Sequence, residues 1–409
     1  MSATSGHWGL LRHSAFRRLW IGQAISEIGD GLTGLALAIV VFRLTGSAAA
    51  LGVLTVLTSI PQLALGLHAG VLVDRWERRR VMVATDLIRA AVVAGLMVVR
   101  GPGDLWLLYT LATAHAAASV FFEPARAAIL PHLVTRETLL GANSVLQSTR
   151  VVAGVAGTAL AGVLLALPQG ARVAFGVDAL SFVASAIAIA SLRVPLRTDA
   201  PESVHVALVR GLRFLFASPT LVGLLLTFAV TVLGVSAVNV VFVPFVTTEL
   251  HGSSALIGFM RAAQTVGMVA AGAAIAAVSA RVAPARLMAP AILVLALTLC
   301  GLALVRHWIP FVPLLIVAGV CSTLIQSSSA TLLQQHVPDA LRGRIESALD
   351  TLLMLVVMAA AAGAGALADR AGTRRVLLGA GLVTLLGGVL AHIALRQPEP
   401  ARERSAIGS

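Results

Sequence analysis

Gly70-Val71-Leu72-Val73-Asp74-Arg75-Trp76-Glu77-Arg78-Arg79-Arg80 closes one long apolar stretch and opens the next. Such a glycine lets a neighbouring helix approach closely, the aspartate falls at a helix end, and the arginines can grip lipid phosphates or a facing helix terminus. A cluster that only anchors its loop is the simpler alternative. Against it stands a second copy, Gly365-Ala366-Leu367-Ala368-Asp369-Arg370-Ala371-Gly372-Thr373-Arg374-Arg375, with the same Gly, Leu, Asp and Arg spacing. The repeat favours a conformational gate made of Gly70, Leu72, Asp74, Arg75, Arg78, Arg79 and Arg80. Arg126, at the end of a later stretch, is either the partner of Asp74 or an anchor of its own helix end.

Around these motifs the chain is too apolar for water. Of 409 residues 58% are apolar and 12% charged, against about 25% charged in a soluble domain. A cytosolic enzyme, a disordered scaffold and a secreted disulfide module are therefore disfavoured, and lipid is the expected solvent. The net charge is +12 and all 30 basic residues are arginine. With no lysine there is no Schiff-base or Walker-type phosphate lysine. A soluble protein of this charge would suggest nucleic acid, but membrane proteins collect arginine in cytoplasmic loops, so no nucleic-acid partner is expected. Cys300 and Cys321 fall in apolar runs and read as packing residues. No HExxH, CxxC or nucleotide-binding glycine fingerprint occurs, so no metal, no cofactor and no ATP-driven step are expected. The first fifteen residues lack the apolar core of a cleavable signal peptide.

A bilayer core of about 30 Å takes about 20 apolar residues per helix. Twelve stretches qualify, at 18–42, 51–73, 81–99, 105–125, 140–166, 173–192, 219–247, 254–280, 287–305, 309–334, 345–368 and 376–395. With the N-terminus inside, 20 arginines fall in cytoplasmic segments, seven outside, and three (Arg89, Arg150, Arg261) within spans. The positive-inside rule then predicts both termini cytoplasmic, with one dissenting loop at 370–375. Residues 193–218, charged and carrying Pro195 and Pro201, read as a cytoplasmic linker between bundles at 18–192 and 219–395, flanked by a head at 1–17 and a tail at 396–409. Worn copies of the motif follow spans 5 (Gly162, Leu164, Arg172) and 8 (Val278, Arg281, Arg286), and Val134–Ser144 matches Val337–Ser347 at an offset of 203 residues. These repeats predict an all-α membrane protein with twelve transmembrane helices in two six-helix pseudo-symmetric halves, each of two three-helix repeats.

The 70–80 motif resembles the signature loop of the major facilitator superfamily, over about 16–395. Phe16-Arg17-Arg18-Leu19-Trp20, Gly29-Asp30-Gly31-Leu32, Glu123-Pro124-Ala125-Arg126, Asp178-Ala179-Leu180-Ser181-Phe182 and Val337-Pro338-Asp339 resemble the branch of bacterial enterobactin exporters and macrolide-efflux proteins. The resemblance implies alternating access and export driven by proton exchange. One departure matters. Antiporters of this kind often carry Gly-Pro in span 5, whereas this chain has Gly157-Thr158; Gly154, Gly157 and Gly162 keep the small-residue spacing of close helix contact.

Charges inside the membrane cost a few kcal/mol each and are functional candidates by default. Glu27 and Asp30 are three residues apart, on one helix face, at about 14 and 18 Å into span 1. Two carboxylates so close do not both ionise readily in a low dielectric, which makes them candidate proton carriers. Arg150 lies about 15 Å into span 5, at matching depth, and a network of Glu27 and Asp30 with Arg150 is expected to trade proton, arginine and cationic cargo. A static ion pair is the alternative. Arg261 and Asp350 enter from opposite faces, so direct pairing is not expected, and each reads either as a cavity residue or as a structural one. Asp86 and Arg89, one turn apart in span 3, read as a mutually satisfied structural pair. Asp178 reads as a helix-end cap and His115 as a hydrogen-bonded interior residue.

The sequence thus predicts a secondary exporter of a small amphipathic molecule such as a drug, macrolide or siderophore, with protons and the bilayer as its other partners. It is expected in a bacterial cytoplasmic membrane, where a monomer suffices. Uptake or lipid transport is the alternative within the fold, and a polytopic membrane enzyme the alternative outside it.

Overall fold

The computed structural model describes residues 9–192, 215–216, 218–278, 284–337 and 339–396, without the side chains of 67, 71, 74, 220, 276–278, 284–286, 339–344 and 394–396. The linker 193–218 is therefore almost wholly outside the described residues, as are Arg281, residues 1–8 of the head at 1–17 and the tail beyond 396. The side chains of Asp74, Arg286, Arg342 and Arg344 are outside them too.

Twelve long helices fill the described residues: α1 Ser14–Thr45, α2 Ala48–Asp74, α3 Arg78–Leu96, α4 Leu105–Ile129, α5 Leu139–Leu164, α6 Gly170–Ala190, α7 Pro219–Thr248, α8 Ser254–Val278, α9 Pro284–Leu304, α10 Trp308–His336, α11 Asp339–Ala371 and α12 Thr373–Arg396. Their ends follow local chemistry. Gly46, at φ 64°, closes α1 with its N–H on the Phe42 carbonyl, a left-handed cap that glycine adopts without strain. Ser47 then opens α2 by accepting the Ala50 N–H, and Ser218 followed by Pro219 opens α7. Apolar side chains face outward as well as inward, Leu180 being 70% and Leu297 66% exposed. That surface suits lipid and is costly in water.

Ten of these helices are long and apolar enough to cross a membrane. The other two, α3 and α5, fall short of the twelve apolar stretches expected from sequence. The reason is charge and polarity: α3 carries Arg78, Arg79, Arg80, Asp86 and Arg89, and the first half of α5 carries Asn143, Ser144, Gln147, Ser148 and Arg150.

Within the first six helices, α1 packs on α5 and α6, α2 on α4, and α3 on α4 and α6. Among the last six, α7 packs on α11 and α12, α8 on α10, and α9 on α10 and α12. Extensive contacts of α2 with α11 and of α5 with α8 join the two sets. The α1–α2 and α2–α3 turns lie at the two ends of α2 and so mark opposite ends of the bundle.

Candidate functional site

A cavity of about 250 Å³ opens inside the first set, lined by Gln23, Ser26, Glu27, Asp30, Arg89, Ser119, Phe122, Glu123 and Arg150. Its two acidic positions on α1 behave differently. Glu27 meets Arg150 at 3.2 Å, while Asp30 turns to α3, where Arg89 Nη2 donates to its Oδ2 at 2.6 Å. The single Glu27/Asp30/Arg150 network expected from sequence is thus two networks. Residues three apart on a helix differ by about 60° in azimuth, enough to reach different neighbours.

The first network runs through Glu123 on α4. Its Oε1 accepts Arg150 Nη2 at 2.6 Å and its Oε2 accepts Arg126 Nη2 at 2.6 Å. Glu123 therefore bridges two guanidiniums and is the central residue that sequence reasoning left out of the site. The signal was available, since Glu123 is a carboxylate inside an apolar span, as Glu27 is. Arg126 finds its counter-charge one turn back on its own helix; whether it also reaches Asp74 falls outside the described side chains. Trp20 Nε1 donates to Thr149 at 2.7 Å, fixing α5 against α1 beside Arg150.

The second network is buried. Arg89 sits between Asp30 and Asp86, which it meets at 3.3 Å, and lies over the Phe182 ring at 4.0 Å. Arg89 thus belongs to the cavity wall, and Asp86 alone does not satisfy it, contrary to the sequence-based reading of a peripheral pair. His115 Nε2 lies 3.6 Å from Asp30 and its ring packs on Phe182. Asp178 is no helix-end cap either: it lies two turns into α6, fully buried, accepting the Thr33 hydroxyl at 2.5 Å. It fits there because Gly29 leaves the space that a Cβ would fill.

Glycines bring α5 against α1. A Cβ on Gly157 would collide with the Ile28 carbonyl, and one on Gly31 with the Gly154 carbonyl. Gly162 meets the second set, where a Cβ would stand 2.7 Å from the Gly258 Cα on α8.

The two motif copies lie at opposite ends. At the α1–α2 end, Asp369 of α11 accepts the N–H groups of Ala48 at 2.7 Å and Ala49 at 3.2 Å and the Ser47 hydroxyl, capping the N-terminus of α2. Gly365 allows this approach, since a Cβ there would stand 2.7 Å from the Ala48 carbonyl oxygen. Arg43 reaches across at the same end to Ser254 at 2.7 Å and the Leu165 carbonyl at 3.1 Å. Arg374 pairs with Glu249 at 2.9 Å and donates to the Ala303 and Val305 carbonyls at the end of α9; Arg370 and Arg375 are exposed.

At the α2–α3 end the arrangement differs. Gly70 has no described atom within 4 Å of where a Cβ would stand, so no close approach is seen there among the described residues. The α2/α11 contacts at Gly52 and Gly365 lie about 27 Å from Gly70 along α2. The motif's arginines hold helix ends within the first set: Arg78 reaches the Ala128 carbonyl at 3.4 Å and His132, Arg79 the Leu192 carbonyl at 2.9 Å, and Arg80 pairs with Glu77. Arg75 is exposed.

In the second set, Arg261 Nη1 donates to Asn239 at 3.1 Å and Gln264 at 3.3 Å, with its guanidinium 4.1 Å over the Phe242 ring. Asp350 is exposed and forms no ion pair with a described residue.

A bundle of twelve long helices with a lipid-compatible surface and a charged interior cavity defines a polytopic membrane transporter. The fold is that of solved transporters. One is a bacterial homologue of the human lysosomal transporter Spinster in an inward-facing, unoccupied conformation (TM-score 0.76, 14% identity, 93% of this chain and 96% of that one). Another is a bacterial homologue of the iron transporter ferroportin in an inward-facing state (TM-score 0.75, 18% identity, 95% and 100%). Residues 5–406 match the MFS_3 family, described as a transmembrane secretion effector, and the chain belongs to that family of major facilitator transporters; it is not an enzyme. Similar curated proteins include macrolide efflux protein A of Streptococcus pyogenes (24% identity, covering 90% of this chain and 93% of the relative). Enterobactin exporter EntS of Salmonella typhi is 27% identical (82% and 81%), and the multidrug efflux pump Tap of Mycolicibacterium fortuitum 28% (89% and 91%).

Proposed function

We propose that this chain exports small amphipathic molecules, drugs, macrolides or siderophores among them, by alternating access in exchange for protons. The observation that carries the reading is the 250 Å³ cavity in which Glu27, Asp30 and Glu123 face Arg89 and Arg150. Charges so deep in a bilayer-spanning bundle are retained at a cost and need a use. Glu27 is the coupling group in this scheme. It holds Arg150 at 3.2 Å, more loosely than Glu123 does at 2.6 Å, so a proton or a cationic part of the cargo can replace Arg150 at Glu27 while Glu123 keeps the guanidinium neutralised.

The matching neighbour patterns of α1–α6 and α7–α12 support two pseudo-symmetric six-helix halves, 18–192 and 219–395, joined by a linker at 193–218. We place the α2–α3 end and both termini in the cytoplasm of a bacterium, following the arginine count, and the α1–α2 end outside. In that orientation the outer end is held by Asp369 and Arg43, and cargo enters from the cytoplasm. One chain supplies both halves, so the working unit is a monomer.

Reconstitution in liposomes tests this. A macrolide probe should move several-fold faster when a proton gradient opposes it, and Glu27→Gln should remove that acceleration while residual gradient-independent movement persists. Equal rates with and without the gradient in the wild-type chain would eliminate proton exchange, and accumulation in the opposite direction would reverse the assignment to uptake.

A further inference from the structure

Within the second set, Arg261 is held in a manner unlike Arg89, Arg126 and Arg150 of the first. Arg89, Arg126 and Arg150 each meet a carboxylate. Arg261 meets only neutral partners among the described residues: two amide oxygens, both bonded to Nη1, and the Phe242 face beneath the plane. Amide oxygens orient a guanidinium but carry no counter-charge, and a cation at this depth is costly without one. The donors left over are instructive. Nε and Nη2 form the side-on edge of the fork, whose two parallel N–H groups fit the two oxygens of a carboxylate. Neither makes a hydrogen bond to a described residue, nor is either among the buried polar atoms lacking a partner. Asn239 is exposed and Arg261 partly so. The guanidinium lies about 10 Å into α8, one turn from the Gly258 contact with α5. The described carboxylate on the neighbouring turn, Glu249, is taken up by Arg374 and Thr373.

We propose that the Nε/Nη2 edge of Arg261 receives an oxyanion of the transported molecule, carboxylate-like in shape, so that the cargo carries a negative group directed at the second half. This rests on the exporter reading. It narrows that reading from amphipathic molecules in general to amphipathic anions and zwitterions. Phe242 and the two amides hold the plane ready, so little ordering remains to be done on binding.

Two probes that differ in one group provide the test: rhodamine B, which carries a free carboxylate, and its ethyl ester, which does not. Binding to the purified full-length chain in lipid nanodiscs is read by fluorescence anisotropy. The acid should bind about tenfold to a hundredfold more tightly than the ester, the usual weight of a charge-assisted hydrogen-bonded pair. Arg261→Gln should collapse that ratio towards one while leaving ester affinity near wild type, which shows the variant to be folded. Arg261→Lys, which keeps the charge but loses the fork, should retain an intermediate ratio. Equal binding of acid and ester by the wild-type chain overturns the proposal and leaves the exporter reading standing, as does a ratio that survives Arg261→Gln. Binding of neither probe overturns the proposal and takes the amphipathic-cargo reading with it.

Discussion

Arg89 and Arg150 occupy one cavity but are built differently, and the difference separates stability from transport at single residues. Arg89 has a side chain 6% exposed and held by two carboxylates, whereas that of Arg150 is 43% exposed. Removing a charge partner from a buried guanidinium costs about 3–5 kcal/mol, while the same loss at a wetter site costs far less. Asp30→Asn is therefore expected to lower the thermal denaturation midpoint by several degrees, and Glu27→Gln to leave it nearly unchanged while abolishing gradient-driven transport. Equal shifts in the two variants, measured on the detergent-purified chain, would refute the division of labour. The intramembrane charges themselves were legible in the sequence, because a carboxylate or arginine in an apolar run is a one-dimensional fact. Their partners were not. Asp30 goes to Arg89 and Glu27 to Arg150 because of helix azimuth, and Glu123 was hidden in a phrase read as a motif. Asp178 was read as a helix end because its span was started at 173, three residues into α6.

Among elements, α5 touches both sets of helices through glycine, at Gly157 against α1 and Gly162 against α8. Overpacking such a contact costs about 1–3 kcal/mol. Gly157→Ala should destabilise the chain by that order, whereas Gly154→Ala, where a Cβ meets nothing within 4 Å, should be close to neutral in a melting experiment. Comparable losses at both positions would show that helix propensity or lipid packing, not the α1 backbone, governs this face. The small-residue spacing was readable from sequence, but not which of the three glycines meets a backbone. The same limit applied to the signature loop: its spacing was plain, but not that Gly365 meets the α2 backbone at Ala48.

For the whole molecule, the two copies of the motif lie at opposite ends. Asp369 caps the first turn of α2, where a helix N-terminus presents unsatisfied N–H groups and favours negative charge. Its counterpart Asp74 ends α2 at the opposite face. A Ser47→Cys/Asp369→Cys pair is expected to form a disulfide on oxidation, to stop transport, and to regain it on reduction. Full activity of the cross-linked chain would mean that α2 and α11 do not part at this end during turnover. The arginine surplus of the composition also finds its place. Arg78, Arg79 and Arg374 are occupied with helix-terminal carbonyls, so even the loop that dissents from the positive-inside count holds one of its arginines for a structural purpose.

The Gly162–Gly258 contact bears on how fast such a junction can be made and unmade. Two backbones meeting without side chains between them have no rotamers to freeze when they close and none to release when they part. A junction built from interlocked leucines would have to search for its fit at every closure. Bare main chain meets main chain in one geometry, like a machined seat that needs no gasket, and the groups to be re-sorted beside it include Arg43, Ser254 and the Leu165 carbonyl.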